Sequence, residues 1–196
     1  MKRSSAILKR SFDIGFSGVI LIATSPLLLL MAAGIKLSSK GPVIYNQERL
    51  GKTRIPFIMY KFRTMNQNAE EHGPRLTYPG DPRITKFGKL LRRYHLDEIA
   101  QFWNVLKGDM SLVGPRPERR IYVEEIEKKY PEYNKIFEVK PGITSLGMVR
   151  SGYAWDIDKM IERSRHDLDY IRNQSLKTDT KIILKTIRTV LKGKGI

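Results

Sequence analysis

Residues 94–117 read YHLDEIAQFWNVLKGDMSLVGPRP, with adjacent carboxylates Asp97 and Glu98 following Arg92 and Arg93, and Arg116 held between Pro115 and Pro117. A carboxylate can attack phosphorus without prior deprotonation, and magnesium binds through one or two carboxylates together with phosphate oxygens. The fixed torsions of the two prolines preset the Arg116 guanidinium, whose planar fork suits bidentate phosphate binding. Asp97, Glu98 and Asp109 are the hard ligands of this stretch, so a diphosphate with its cation would use every part of it. The plainer reading is structural: acids in a first helical turn are favoured by the macrodipole.

Helical spacing over residues 96–106 puts Asp97, Gln101 and Asn104 on one face and Ile99, Phe102, Trp103 and Leu106 opposite, so Asp97 is expected to face away from the core. Glu98 lies about 100° round from Asp97, which leaves the two acids free to take unlike roles. Upstream, residues 55–65 (IPFIMYKFRTM) have strand composition, and period two sets Met59, Lys61, Arg63 and Met65 on one side. The plain reading of those cations is a solvated strand face. Residues 66–84, rich in Gly and Pro, form a loop able to order over a ligand, and Thr85 caps a short basic helix.

Further on, ERRIYVEEIEKKYPEYNKIF reads as a supporting helix interrupted at Pro131, and VKPGITSLGMVRSGYAW as loop and short strand. Residues 156–173 look helical, and Thr178 or Asp179 can cap a last helix, TKIILKTIRTVLK, that is basic and amphipathic and ends at Gly193. Such a helix either packs on a core or lies on anionic lipid.

The 196 residues carry 36 Lys and Arg against 20 Asp and Glu, a formal charge of +16, so an anionic partner is expected: nucleic acid, phospholipid or a phosphorylated substrate. There is no cysteine, which excludes disulfides and thiolate chemistry, and His72, His95 and His166 are scattered. Residues 14–35 are 22 consecutive uncharged positions, roughly 33 Å as one helix. Cations flank both ends, Lys2, Arg3, Lys9 and Arg10 before and Lys36, Lys40, Arg49, Lys52 and Arg54 after, so both ends look cytoplasmic. Ser25-Pro26 divides the run into halves of roughly 18 Å, each suited to one leaflet. A kinked span and a hairpin that returns to the same face both remain open on the residues alone.

The chain resembles the monotopic phosphoglycosyl transferases, a bacterial sugar transferase family, over nearly its whole length: LKRSFDI, an apolar segment broken at SP, YKFRTM, LDEIAQFWNVLKGDMSLVGPRP, VKPGIT and HDLDYI…SLKTDTKI. The central block is the specific one. The resemblance implies transfer of a phospho-sugar from a UDP-sugar to a polyprenol phosphate of the undecaprenyl type with release of UMP, the first membrane step of a glycan assembly. It implies Asp97 as nucleophile forming an aspartyl-phosphosugar, Glu98 as its partner, and Mg2+ on Asp97 and Glu98. Lys61, Arg63, Arg92 and Arg116 are then phosphate candidates, with Arg150 and Tyr153 as further substrate contacts. Asp167 and Asp179 match acids of the family's C-terminal motif and, with Asp109, are site acids or structural ones.

The implied architecture is α+β, mainly α. A re-entrant membrane hairpin, helix-break-helix at Ser25 and Pro26, occupies residues 1–38, and a catalytic domain with a short β element and amphipathic surface helices occupies 39–196. This corresponds to the family's minimal form, on the cytoplasmic face of the bacterial inner membrane. Expected partners are the UDP-sugar, polyprenol phosphate and inner-membrane phospholipids, with a second copy of the chain left open. Nucleic acid is not expected, since no recognised motif accompanies the charge. Two departures stand out: Ile99-Ala100 replaces Leu-Pro after the dyad, and Ser145 stands where a second glycine is frequent.

Overall fold

The computed structural model describes residues 3–71 and 73–193. A long helix α1 (Arg3–Ser38) leads into an antiparallel hairpin of β1 (Ile44–Leu50) and β2 (Pro56–Phe62), then α2 (Lys86–Arg93), α3 (Gln101–Lys107) and β3 (Ser111–Val113). After α4 (Arg120–Lys129), β4 (Gly142–Thr144) pairs in parallel with β3, and α5 (Leu146–Ser151), α6 (Ile157–Arg172) and α7 (Leu176–Leu191) complete the chain. The mainly helical character agrees with expectation, but β1 does not announce itself: IYNQERL carries the polar side chains of a cavity wall rather than strand-like alternation. Likewise α5, expected as loop, is a helix because Ser145 accepts the Met148 amide hydrogen at 2.9 Å.

The two half-helices expected around Ser25-Pro26 are one helix of 36 residues with Pro26 inside it. Pro26 has no amide hydrogen for Ile22 O, and Ser25 Oγ donates to that carbonyl at 2.8 Å, while Thr24 Oγ1 donates to Ile20 O at 2.7 Å. These hydroxyls satisfy the backbone where proline would otherwise end the helix. One stripe of α1 is buried against the rest of the protein, including Lys9, Asp13, Ser17, Met31 and Ile35. The other side stays apolar and open, with Ile22 76%, Leu29 74% and Leu30 70% exposed.

Both ends of α1 are fastened to the same body. Lys9 Nζ donates to Asp179 Oδ2 at 2.6 Å and to Val113 O at 3.2 Å, and Arg10 donates to Val105 O at 2.6 Å and Leu106 O at 3.0 Å, at the C-terminal end of α3. At the far end Met31 and Ile35 share a core cluster with Phe62 and Leu91. Among the caps, Thr85 accepts the Gly88 amide at 2.9 Å as expected, but the last helix is capped by Ser175, three residues before Thr178. Asp179 is thus inside the first turn of α7, where it also accepts the Tyr170 hydroxyl at 2.6 Å.

Asp179 is therefore a strut. Asp179→Ala leaves the buried Lys9 ammonium unpaired and is expected to lower unfolding stability by about 3–5 kcal/mol. Denaturant unfolding in detergent checks it, with Lys9→Met/Asp179→Leu recovering most of the loss.

Candidate active site

The residues 96–106 are not one helix. Leu96–Glu98 is a separate 3-10 turn, entered through His95 in the left-handed region at φ 53°, and α3 begins only at Gln101. A non-glycine residue there is uncommon and costs strain. His95 is held by Tyr153, whose ring stacks on the imidazole at 5.7 Å between centroids and whose hydroxyl lies 3.2 Å from Nδ1.

The expected orientation is also reversed. Asp97 is buried at 6% exposure, and Gln101 and Asn104 are buried with it, while Trp103 on the apolar side is 54% exposed. The reason is a long-range set of hydrogen bonds: Asn104 Oδ1 accepts from Tyr60 N at 3.0 Å, and Nδ2 donates to Ile58 O at 2.7 Å and Asp109 Oδ2 at 3.1 Å. The polar side of α3 thereby completes the edge of β2, and its apolar side turns toward α1, where Phe102 and Phe16 meet at 6.3 Å.

Glu98 is the fixed member of the dyad. Lys61 Nζ from β2 and Arg116 Nη2 both donate to its Oε1, at 2.7 and 2.8 Å. Arg116 is set by its loop: Gly142 N donates to Pro115 O at 2.9 Å and Gly114 N to Thr144 O at 3.1 Å. A Cβ on Gly142 would lie 2.1 Å from Gly114 N, so only glycine allows this approach. Arg116 also faces Met148 Sδ at 3.4 Å.

The electrostatics separate the two acids. Burial works against ionisation of Glu98, but Arg116 and then Lys61 overcome it and hold its carboxyl well below the usual range. For Asp97 burial wins: its carboxyl is raised, with Lys61 only partly opposing. Among the described residues nothing donates a hydrogen bond or ion pair to the Asp97 carboxylate. Burial also lowers the Lys61 ammonium, against the pull of Glu98.

Two cavities meet at this dyad. The first, of about 480 Å3, is lined by Lys61, Arg63, Arg92, Asp97, Glu98, Arg116 and Tyr153 together with residues of β1 and the 66–84 loop. The second, of about 360 Å3, is walled by apolar side chains including Phe16, Ile20, Ile99, Phe102, Ile143 and Ile187, from α1, α3, β4, α7 and the turn before α3. Glu98, Arg116, Tyr153 and Arg163 line both, whereas Asp97 opens only on the first.

Of the remaining sequence candidates, Arg63 donates to Ser39 O at 2.7 Å and keeps Nε and Nη1 buried without a partner among the described residues. Arg92 Nε donates to Thr64 Oγ1 at 2.8 Å. Arg150 stands exposed on α5 beside His166, 3.4 Å away, and lines neither cavity. Asp109 pairs with Lys107 at 3.1 Å, and Asp179 with Lys9, both outside the cavities. Asp167 accepts the Gly147 amide hydrogen at 2.8 Å and holds the start of α5, with burial pushing its carboxyl up to about 6. Ser25 and Pro26 lie on α1, away from the dyad. Sequence reasoning missed His95, Glu118 and the polar side chains of β1; a histidine immediately before Leu-Asp-Glu was the available signal for the first.

A family model described as bacterial sugar transferase matches residues 4–193. The chain belongs to that family. Among its relatives in the sugar transferase family, a UDP-N-acetylgalactosamine-undecaprenyl-phosphate N-acetylgalactosaminephosphotransferase of Aeromonas hydrophila is 46% identical over 190 residues, 97% of this chain and 45% of that protein. A UDP-glucose:undecaprenyl-phosphate glucose-1-phosphate transferase of Caulobacter vibrioides is 40% identical over 93% of this chain and 69% of its own length. An uncharacterized sugar transferase of Bacillus subtilis, EpsL, is 40% identical over 97% and 90% respectively. The chain thus spans less than half of the Aeromonas transferase and most of the Bacillus one.

The charge arrangement predicts opposite stability effects for the two acids. Glu98 is depressed on folding, so its contribution is present above the unfolded carboxylate value and lost as pH falls through the folded one. Glu98→Gln should therefore lower the Tm at pH 7, with the gap to the parent closing in acid. Asp97 is raised, so Asp97→Asn removes a buried charge that opposes folding and should melt no lower than the parent at pH 7. Thermal melts from pH 8 down to below pH 4, through the range under the ordinary carboxylate value, test both.

Proposed function

We propose that this protein transfers a sugar phosphate from a UDP-sugar to a polyprenol phosphate of the undecaprenyl type, releasing UMP, as the first membrane step of a glycan assembly. The observation that carries the reading is the shared wall: a polar, arginine-lined cavity and an apolar cavity open on either side of Glu98, Arg116 and Tyr153. A nucleoside diphosphate sugar suits the first by charge, and an isoprenoid chain with its phosphate at the dyad suits the second.

Asp97 is the nucleophile in this reading, because it is the acid without a partner and faces only the donor side. Its carboxylate oxygen attacks the sugar-proximal phosphorus; the phosphorus–oxygen bond to the distal phosphate breaks, and UMP leaves with that electron pair. A phosphate oxygen of the acceptor then attacks the aspartyl-phosphosugar, the bond to Asp97 breaks, and the free carboxylate returns. Arg63 and Arg92, which have no carboxylate partner among the described residues, are placed to take charge on the departing UMP. Glu98, kept ionised and immobile, orients Lys61 and Arg116 around the reacting phosphate.

Among the described residues no cluster of three or more His, Cys, Asp or Glu is placed to hold a metal. The unpartnered Asp97 carboxylate beside Glu98 nevertheless fits magnesium, which completes its shell with phosphate oxygens and water. When bound, the ion would neutralise diphosphate charge.

The placement of α1 supports a monotopic seat. Its two ends are fixed to one body while the apolar side between them is open, which favours a helix bedded in one face of the bilayer, the cytoplasmic face of the inner membrane, over one that crosses it. With no native cysteine, single cysteines at Ser4 and Lys40 should both label from the cytoplasmic side only; labelling from opposite sides means a span.

Turnover is tested with a panel of UDP-sugars, undecaprenyl phosphate and Mg2+, read by UMP release. Asp97→Asn should lower release at least about a thousandfold while the protein stays membrane-bound. Without acceptor the parent should release about one UMP per chain and gain the mass of one phosphosugar on the peptide containing Asp97. Normal turnover by Asp97→Asn would exclude that nucleophile, and chelation should abolish activity with recovery on added Mg2+.

A further inference from the structure

The donor cavity has a second side that the chemistry above does not use. Along β1 a chain of hydrogen bonds runs from Arg49, which donates to Gln47 Oε1 at 3.0 Å through Nε, to Gln47 Nε2, which donates to the Tyr45 hydroxyl at 2.9 Å, and from that hydroxyl to Glu70 Oε2 at 3.0 Å. Glu70, on the 66–84 loop, also pairs with Arg119, and Arg49 pairs with Glu118, which in turn pairs with Arg163. All seven of these side chains line the donor cavity. Tyr122 of α4 lines it too, and its hydroxyl is buried among these charges with no partner among the described residues.

The ladder differs from the phosphate end in its charge state. Each of its cations already has a carboxylate, whereas Arg63 and Arg92 have none among the described residues. Glu118 is shared by Arg49 and Arg163, so three arginines meet two carboxylates; with every one of these cations engaged, the wall and its interleaved amide and phenols offer fixed donors and acceptors that suit a ligand rich in hydroxyls. An additional anion would be better served beside Arg63.

Register says which neutral group that is. Tyr45 is the cross-strand partner of Lys61, and Lys61 holds Glu98. Along the hairpin, Arg63 lies two residues to one side of Lys61 and Gln47, opposite Met59, two residues to the other, roughly 7 Å each way at strand spacing. At the sugar-proximal phosphorus the sugar oxygen and the bridging oxygen to the departing nucleotide are separate substituents, so sugar and nucleotide diverge from the reacting centre, the nucleotide in line with the attacking carboxylate. With the nucleotide phosphate toward Arg63, the sugar falls on Tyr45 and Gln47 of β1, and Tyr122 of α4 lines the same cavity.

We infer that Tyr45, Gln47, Glu70 and Tyr122 form the subsite that reads the sugar of the donor, a neutral hydroxylated or acetamido hexose, so that these residues, and not the phosphate-binding arginines, decide which UDP-sugar is used. The inference rests on the transferase reading above and adds the discriminating residues to it.

The test is a ratio. Purified full chain is assayed for UMP release with UDP-glucose, UDP-galactose, UDP-N-acetylglucosamine and UDP-N-acetylgalactosamine, and the order of kcat/KM is compared with that of Tyr122→Phe and Gln47→Ala. Each variant should change the ratio between the best and another donor by roughly tenfold, the scale of a lost hydrogen bond to a sugar hydroxyl, while inhibition by UDP, which lacks the hexose, changes less than about threefold. Tyr122→Phe removes one oxygen from outside the ladder, so it reports even where Gln47→Ala disturbs folding. Uniform loss across all donors, or weakened UDP inhibition with unchanged ratios, overturns the subsite and leaves the transferase reading standing. No UMP from the parent with any donor removes both.

Discussion

Glu98 sits between two cations that come from distant parts of the chain, Lys61 on β2 and Arg116 in the loop after β3, and both reach the same carboxylate oxygen. Burying one ion pair is usually a poor source of stability, because desolvation offsets attraction. Here the arrangement has another use: it joins the hairpin, the dyad turn and the Pro-Arg-Pro loop at one point. With both cations engaged by Glu98, Asp97 is left buried without a partner among the described residues, and burial keeps its carboxyl raised. One acid is fixed by cations while its neighbour is left without them.

The same economy explains the inverted α3. A short helix between a membrane-associated helix and a strand edge has two unlike neighbours. Asn104 serves the strand backbone, Phe102 serves α1, and the dyad turn that precedes the helix is drawn inward with the polar side. Its apolar side then lines the second cavity together with Phe16 and Ile20 of α1. The long apolar helix is thus part of the cavity wall, its Phe16 and Ile20 shared between the two.

The chemistry was more legible than the geometry. Asp97, Glu98 and Arg116 could be grouped because charge and fixed proline torsions are properties of residue types, whereas Lys61 joined them only through the family resemblance, its residues alone reading as a solvated strand face; the structure brings Lys61, Glu98 and Arg116 together beside Asp97. What failed were inferences that needed long-range partners. Helical periodicity sent Asp97, Gln101 and Asn104 to solvent, since nothing local reveals that Ile58 O and Tyr60 N, about 45 residues upstream, need an amide side chain. The strand β1 was hidden because a cavity wall demands Tyr, Gln and Arg where a strand would ordinarily show alternation. Proline was read as a break in α1, but the preceding serine repairs the carbonyl it abandons. Asp167 and Asp179 were rightly left open between cap and site: one holds the start of α5 and the other pairs with Lys9.

Two cavities on opposite sides of one dyad also bear on the choice between a single displacement and a covalent route. Direct transfer would require the acceptor phosphate to reach the donor phosphorus in line with the departing UMP while both substrates are bound. Asp97 opens only on the polar cavity, and Glu98, Arg116 and Tyr153 line both that cavity and the apolar one. A carboxylate that first takes the phosphosugar removes the need for simultaneous alignment, because the donor nucleotide has left before the acceptor attacks. On the proposed covalent route the raised Asp97 carboxyl would serve both halves: it would be the more basic oxygen for attack, and, with no hydrogen bond from the described residues, its phosphate adduct would gain nothing from the protein that would slow the second step.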